Sequence, residues 1–311
     1  MEEADWLPPF YFGPARASKL EMMSVWRSAG ITLEMIKWEH SIFALPFAMT
    51  GAMLAARGFP ALRTVAWILV CMVAARSAAM AFNRLADAEL DAANPRTAMR
   101  ALPAGILGRG FVAGFTVVCS GIFLLGAAEL NRMTLWLAPV ALLILFAYSY
   151  TKRWTRWSHL VLGLSLGIAP SAAWIAVRGT LDPRIVLLTA AVLCWVAGFD
   201  TLYACQDFDH DRRVGLRSVP ASVGIAKAFW LGRGLHVAAF LMLLALVPLF
   251  GLGKIALAGV LVVGALLVYE HSLVSPEDLS KLNAAFFTMN GVIAMVYFLF
   301  TATDLLWMAR R

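Results

Sequence analysis

Long apolar stretches dominate this chain, and each is close to the length that crosses a lipid bilayer. A spanning helix needs about 20 mostly apolar residues, because hydrocarbon offers no partner to an open backbone N–H or C=O. Nine such stretches are read, at about 38–56, 64–82, 110–129, 134–151, 160–177, 184–203, 227–249, 254–270 and 285–308, the eighth the shortest. A membrane barrel would instead show segments of about ten residues alternating in polarity. Of the 311 residues, 61% are apolar and 14% charged, against about 45–50% and about 25% in soluble domains. Disorder, a collagen-like repeat, a small disulfide scaffold and a soluble two-domain enzyme are all poor fits. The expected fold is all-α: a polytopic membrane protein, a bundle of nine transmembrane helices.

The formal charge is +7, but the basic residues flank apolar runs, so no nucleic-acid partner is expected. With nine crossings, 17 of the 26 basic residues fall on the side of the N-terminus and eight on the other; Arg76 lies within a helix. The excess of Lys and Arg assigns the first side to the cytoplasm. Residues 1–37 read as a cytoplasmic or interfacial N-terminal lead-in and 38–311 as a single transmembrane domain. The acidic start lacks the basic region of a cleaved signal peptide. Cys71, Cys119, Cys194 and Cys205 have no metal-ligand spacing and read as small buried hydrophobes. Gly110/Gly114 and Gly163/Gly167 have the spacing of close helix packing.

Seven of the 19 acidic residues fall in two short windows, after the second and within the end of the sixth apolar stretch. The first runs Asn83-Arg-Leu-Ala-Asp87-Ala-Glu89-Leu-Asp91. The second runs Asp200-Thr-Leu-Tyr203-Ala-Cys-Gln-Asp207-Phe-Asp209-His-Asp211. On a helix Asn83, Asp87 and Asp91 share a face, as do Asp200, Tyr203, Asp207 and Asp211, while Glu89 and Asp209 point elsewhere. An even number of crossings separates the two helices, so both stripes emerge on one side and can face a common cavity. Two carboxylates about 6 Å apart repel by roughly 3 kcal/mol at an effective dielectric of 20, so such a cluster calls for cations. Oxygen ligands without His or Cys suit Mg²⁺. Interleaved basic residues (Arg84, Arg96, Arg100, Lys152, Arg153, Arg212, Arg213, Arg217) suit a diphosphate bridged by that ion. No nucleotide-binding glycine loop is present.

These residues resemble the intramembrane aromatic prenyltransferases of the UbiA superfamily. The first window, followed by Asn94-Pro-Arg96-Thr97 and Arg100-Ala-Leu-Pro103, is similar to that family's first aspartate-rich motif. The second, continuing through Gly215 to Ser218, is similar to the second motif. Tyr148-Ser-Tyr-Thr-Lys152-Arg153 resembles the basic segment after the fourth helix, and Lys37-Trp-Glu-His resembles the start of the first helix in the 4-hydroxybenzoate branch. The resemblance covers about residues 33–305. It implies nine helices around a central cavity in the cytoplasmic (inner) membrane, with the N-terminus and active site cytoplasmic, Mg²⁺ as cofactor, and a polyprenyl diphosphate and an aromatic acid as substrates, the isoprenoid tail facing membrane lipid. By motif position, Asn83, Asp87, Asp91, Asp207 and Asp211 would hold Mg²⁺-diphosphate. Arg96, Arg100, Lys152 and Arg153 would assist the phosphates. Lys37 would contact phosphate or the acceptor carboxylate, and Asp200 and Tyr203 would line the site beneath.

The implied reaction is prenyl transfer to a 4-hydroxybenzoate-like acid in quinone biosynthesis. The Tyr-Ala-Cys-Gln-Asp variant also resembles a subgroup that includes prenylation of 1,4-dihydroxy-6-naphthoate for menaquinone, so that acceptor stays open. Tyr148, Tyr150 and Tyr203 are candidates to steady an allylic cation; no residue stands out as the ring-proton base. His210 lies in a motif, and the other histidines read as helix-end polar residues. A secondary transporter would carry its acid near helix midpoints, and a lipid head-group transferase would carry an Asp-Gly-x-x-Ala-Arg run. Neither pattern is seen.

Overall fold

The computed structural model describes residues 30–32, 34–36 and 41–310, and all regular structure among them is helical. After the helical residues 30–32 and 34–36, the chain forms α1 (Ser41–Ala56), α2 (Leu62–Ala86) and the short α3 (Ala88–Ala93). A turn-rich segment, 94–108, leads to α4 (Arg109–Leu130), α5 (Arg132–Trp154), α6 (Ser158–Arg178) and α7 (Pro183–Tyr203). A 3₁₀ turn (Ala204–Asp207), α8 (Phe208–Val214) and α9 (Val219–Val223) precede α10 (Ile225–Leu249), α11 (Lys254–Ser272) and α12 (Leu282–Met308).

Eight of these segments are long and apolar enough to cross a membrane, and the chain is a multi-pass membrane protein. The expected first crossing, about 38–56, appears among the described residues as α1, and of the eight spans α11, with 19 residues, is the shortest. The expected start of the first crossing, with Lys37, lies outside the described residues. Large apolar side chains such as Val117, Leu125, Trp136, Leu143, Leu241 and Val268 stand exposed on the helices. In water they would be an aggregation hazard; in lipid they are the solvent-facing surface.

Local chemistry sets the helix ends. Asn131 caps α5 by accepting from the Thr134 N–H at 2.9 Å, and its amide donates to the Ile175 carbonyl at 2.8 Å, tying α5 to α6. Asp182 caps α7 by accepting from the Arg184 N–H at 2.9 Å, with Pro183 in the first turn where no N–H is missed. Gly179 closes α6 at φ 70°, a conformation that favours glycine.

Helix α6 packs on α1 and α7, α7 on α10, α2 on α4, and α11 on α12. Residues of α2, α5, α6 and α7 line an open centre, while Phe47, Ile185, Leu188, Trp195, Leu246 and Ile293 fill the space behind α7. Gly163 and Gly167 do what their spacing predicts: a Cβ on either would collide with the Leu193 or Thr189 carbonyl of α7. Gly110 and Gly114 have no such neighbour, so the same spacing there marks no helix contact among the described residues.

Candidate active site

At the end of α2 the chain kinks at Asp87, which has φ −99° and ψ 7°. The i→i−4 bonding nevertheless continues across it. The Asp87 N–H donates to the Asn83 carbonyl at 2.9 Å, and the Asp91 N–H to the Asp87 carbonyl at 2.7 Å. Asn83, Asp87 and Asp91 therefore all reach a cavity of about 1190 Å³. Asn83 donates from Nδ2 to Asp87 Oδ2 at 2.9 Å and to Ser149 Oγ at 3.3 Å. Glu89 points out and pairs at 3.5 Å with Arg109. At the end of α7 the continuous helix expected through the second window tightens into its 3₁₀ turn before α8 begins. Asp200, Tyr203, Asp207 and Asp211 still line the same cavity, and Asp209 is exposed.

The two motifs meet through an arginine. Arg96, in the segment after the first motif, grips Asp207 of the second with Nε–Oδ1 3.0 Å and Nη2–Oδ2 2.7 Å. Arg100 Nη1 donates to both oxygens of Asp91, at 2.7 and 2.8 Å, and Arg84 Nη1 lies 3.6 Å from the same carboxylate. Arg153 reaches Asp87 at 3.3 Å and lies over the Tyr150 ring at 5.2 Å. Lys152 lines the cavity and makes no ion pair among the described residues. Burial, with the Asp91 charge beside it, holds the Asp87 carboxyl above the usual aspartate range despite Lys152 and Arg153. Its negative charge is thus under-compensated by the protein alone.

Asp211 is 3% exposed, and its Oδ2 has no hydrogen-bond partner among the described residues. Hard oxygen donors, one of them orphaned and another destabilised as an anion, suit a divalent cation. Among the described residues no three His, Cys, Asp or Glu side chains form a ready-made cage. That spacing fits Mg²⁺, which typically takes one or two carboxylates and completes its shell with water and substrate phosphate.

Beyond the charged end the cavity becomes apolar, bounded by Ile68, Met72, Leu137, Ile144, Leu166 and Ala169. From Asp87 back to Ile68 the rise of α2 amounts to about 28 Å, nearly the hydrocarbon thickness. Tyr148 and Tyr203 line the cavity; Tyr150, two residues from Tyr148, packs instead on Phe82 and Trp154.

Two residues, one lining the cavity and one behind its lining, were not singled out by the motifs. Arg76 lines the cavity from within α2, three turns below Asp87. Its signal was a charge inside an apolar run, a functional marker in itself. His159, read as a helix-end polar residue, is 2% exposed and bonded through Nδ1 to Asp200 Oδ2 at 2.6 Å. Only its closeness in sequence to the basic segment hinted at this.

The profile of the UbiA prenyltransferase family matches residues 44–292. A 4-hydroxybenzoate octaprenyltransferase of Vibrio cholerae serotype O1 is 31% identical over 253 residues, 81% of this chain and 88% of its own length. Its counterpart in Yersinia enterocolitica is 28% identical over 279 residues, 90% and 96% of the two chains. Among solved structures, a UbiA homolog from Aeropyrum pernix K1 superposes with a TM-score of 0.78 at 32% identity, covering 86% of this chain and 98% of that one. A UbiA homolog from Archaeoglobus fulgidus bound to DMAPP and Mg²⁺ has the same fold, with a TM-score of 0.69 at 18% identity and coverage of 88% and 98%.

Proposed function

The chain belongs to the UbiA prenyltransferase family, and on that premise we propose that it transfers a polyprenyl group from an allylic diphosphate to a 4-hydroxybenzoate-like acid in quinone biosynthesis. The observation that carries this reading is the two-part cavity. One end gathers two aspartate motifs joined by the Arg96–Asp207 pair; the other is an apolar shaft running the depth of the membrane. A diphosphate with a long isoprenoid tail has that same division.

In this reading Asn83, Asp87, Asp91, Asp207 and Asp211 hold Mg²⁺. Once bound, the ion would supply positive charge to the leaving diphosphate; the homolog of the same fold binds DMAPP and Mg²⁺. Lys152, Arg96, Arg100 and Arg153 donate to the remaining phosphate oxygens, where negative charge grows as the allylic C–O bond breaks. Lys37, outside the described residues, is assigned to phosphate or to the acceptor carboxylate on its sequence motif alone. Tyr148 and Tyr203 line the chamber and are the candidates to steady the allylic cation, one face of the Tyr203 ring being already covered by the Arg96 guanidinium at 5.9 Å; the apolar shaft keeps water from the cation. Arg76 takes the carboxylate of the acceptor, whose activated ring carbon, ortho to the hydroxyl, attacks the cation. The carboxylate of Asp200 lies at the edge of this chamber.

With α1 counted as a crossing, the chain passes the cytoplasmic membrane nine times, its N-terminus and aspartate end on the cytoplasmic side. The distribution of basic residues supports that orientation. The test is an assay of purified protein with Mg²⁺ and one allylic diphosphate, offering 4-hydroxybenzoate and 1,4-dihydroxy-6-naphthoate in parallel. Prenylated 4-hydroxybenzoate is the expected product. Incorporation only into the bicyclic acid would replace the acceptor and keep the reaction; no incorporation into either would overturn the reading.

A further inference from the structure

We propose that His159 is a positioning residue that holds Asp200 as the acceptor of the proton lost from the aromatic ring, an inference that rests on the prenyl-transfer reading above. The four cavity aspartates of the two motifs differ from Asp200 in what faces them. Asp87, Asp91 and Asp207 are paired with the guanidinium groups of Arg153, Arg100 and Arg96. Asp211, with its orphaned oxygen, belongs to the metal set. A carboxylate committed to a guanidinium or a metal is a poor proton acceptor. Asp200 has no arginine partner among the described residues; the cation that acts on it across the cavity is the Lys152 ammonium, with no ion-pair contact. Its Oδ2 receives one hydrogen bond from His159, and its Oδ1 makes none among the described residues.

The imidazole is locked in one form. Val219 directs its backbone N–H toward His159 Nε2 at 3.4 Å, and a backbone N–H can only donate. Nε2 must therefore be the bare nitrogen, so Nδ1 carries the proton and donates it to Asp200. A second proton on Nε2 would oppose the Val219 N–H inside a site that is 2% exposed. His159 thus orients the Asp200 carboxylate through its Nδ1–H. Its roots in α6 and its contact with the segment after the second motif join Asp200 to two further elements of the fold.

Asp200 also stands at the right level. It precedes Asp207 by seven residues, about 10 Å of helix rise, toward the part of the cavity that Arg76 lines. As the allylic C–O bond breaks, its electron pair leaves on the diphosphate. The ring carbon ortho to the hydroxyl gives a π pair to the allylic carbon, forming the new C–C bond. The C–H bond at that ring carbon then breaks. Its electron pair restores the aromatic ring, and the proton passes to Asp200 Oδ1, leaving a carboxylic acid whose Oδ2 still accepts from His159.

The test compares an acceptor carrying deuterium at both ring positions ortho to the hydroxyl with the ordinary one, using the purified full-length protein and Mg²⁺. In the wild type the isotope effect on kcat is expected near unity, with a step before ring deprotonation setting the rate. His159→Leu should lower kcat at least tenfold, leave KM for the diphosphate unchanged and raise a primary isotope effect, because ring deprotonation becomes limiting. His159→Asn, whose amide N–H replaces the Nδ1–H, should recover most of the rate and suppress the isotope effect. Asp200→Glu, which keeps a carboxylate but shifts it from His159, should show the same isotope effect and carries the test if the leucine variant does not fold. Asp200→Asn should cost about 10²–10⁴-fold, the range for a lost general base. An active wild type whose Leu and Glu variants lose rate with no isotope effect overturns the role of the pair. Asn no better than Leu at equal thermal stability overturns the positioning role. A wild type that prenylates no phenolic acid overturns the underlying reading and this inference with it.

Discussion

Helix α7 has buried polar chemistry on both of its sides, and the two sides are built on opposite principles. Toward the cavity, Asp200 and Tyr203 join a set in which aspartates meet arginines and open volume lies alongside. On the other side His236 Nε2 donates to the Trp195 carbonyl at 3.1 Å, and its Nδ1 accepts from His271 Nε2 at 3.0 Å. Gly198 permits this approach, since a Cβ there would strike the His236 ring. Next to His271, Glu270 is 1% exposed with neither carboxyl oxygen hydrogen-bonded among the described residues. None of His236, Glu270 and His271 lines the cavity. Charge that borders the cavity is within reach of substrate and ion, part of it matched by arginine and part left open. Polar groups sealed behind α7 act through packing and hydrogen bonds alone.

Substitutions can break that division or sharpen it. The largest effect is expected from Asp87→Asn or Asp207→Asn, which should lower prenyl transfer at least 10³-fold while the melting temperature in detergent stays within a few degrees. Withdrawal of divalent ions with a chelator should abolish turnover equally and reversibly, activity returning on addition of Mg²⁺. Arg76→Leu should raise KM for the carboxylated acceptor about 10–100-fold, the worth of about 1.5–3 kcal/mol for hydrogen bonds to a charged group, and spare KM for the diphosphate. Behind α7 the readout should change from rate to stability. His236→Leu strands the Trp195 carbonyl and the His271 N–H, costing about 1–3 kcal/mol in a thermal melt with kcat intact. Glu270→Gln should have the smallest effect, neutral or slightly stabilising, because it removes a buried acid that has no partner to lose. Loss of catalysis in either of these last two variants, with the fold retained, would erase the distinction between the two sides.

Much of this was legible in the residues alone. Apolar runs of membrane length declare themselves, because lipid imposes one demand on every residue of the span. The aspartate stripes were also visible, since a 3/4 spacing keeps side chains together even across the kink at Asp87 and the 3₁₀ turn before Phe208. The pairings were not. Arg96 is 111 residues from Asp207 and His159 is 41 from Asp200; only tertiary packing chooses such partners. Tyr148 and Tyr150 looked equivalent, although residues two apart on a helix face different ways, and only one reaches the cavity. Arg76 was in plain view but set aside, because counting charges by side leaves a mid-span arginine without a use.

Where α6 and α7 touch at Gly163 and Gly167, main chain rests on main chain and no side chain intervenes to change rotamer. That flank of the chamber has a set width. Any give that a longer or bulkier tail demands must come from the opposite flank, where Met72, Met80, Ile144 and Leu145 supply flexible walls. Tolerance for different prenyl donors should therefore be written in α2 and α5, and natural or engineered changes in donor size should accumulate there while the glycine seam stays as it is.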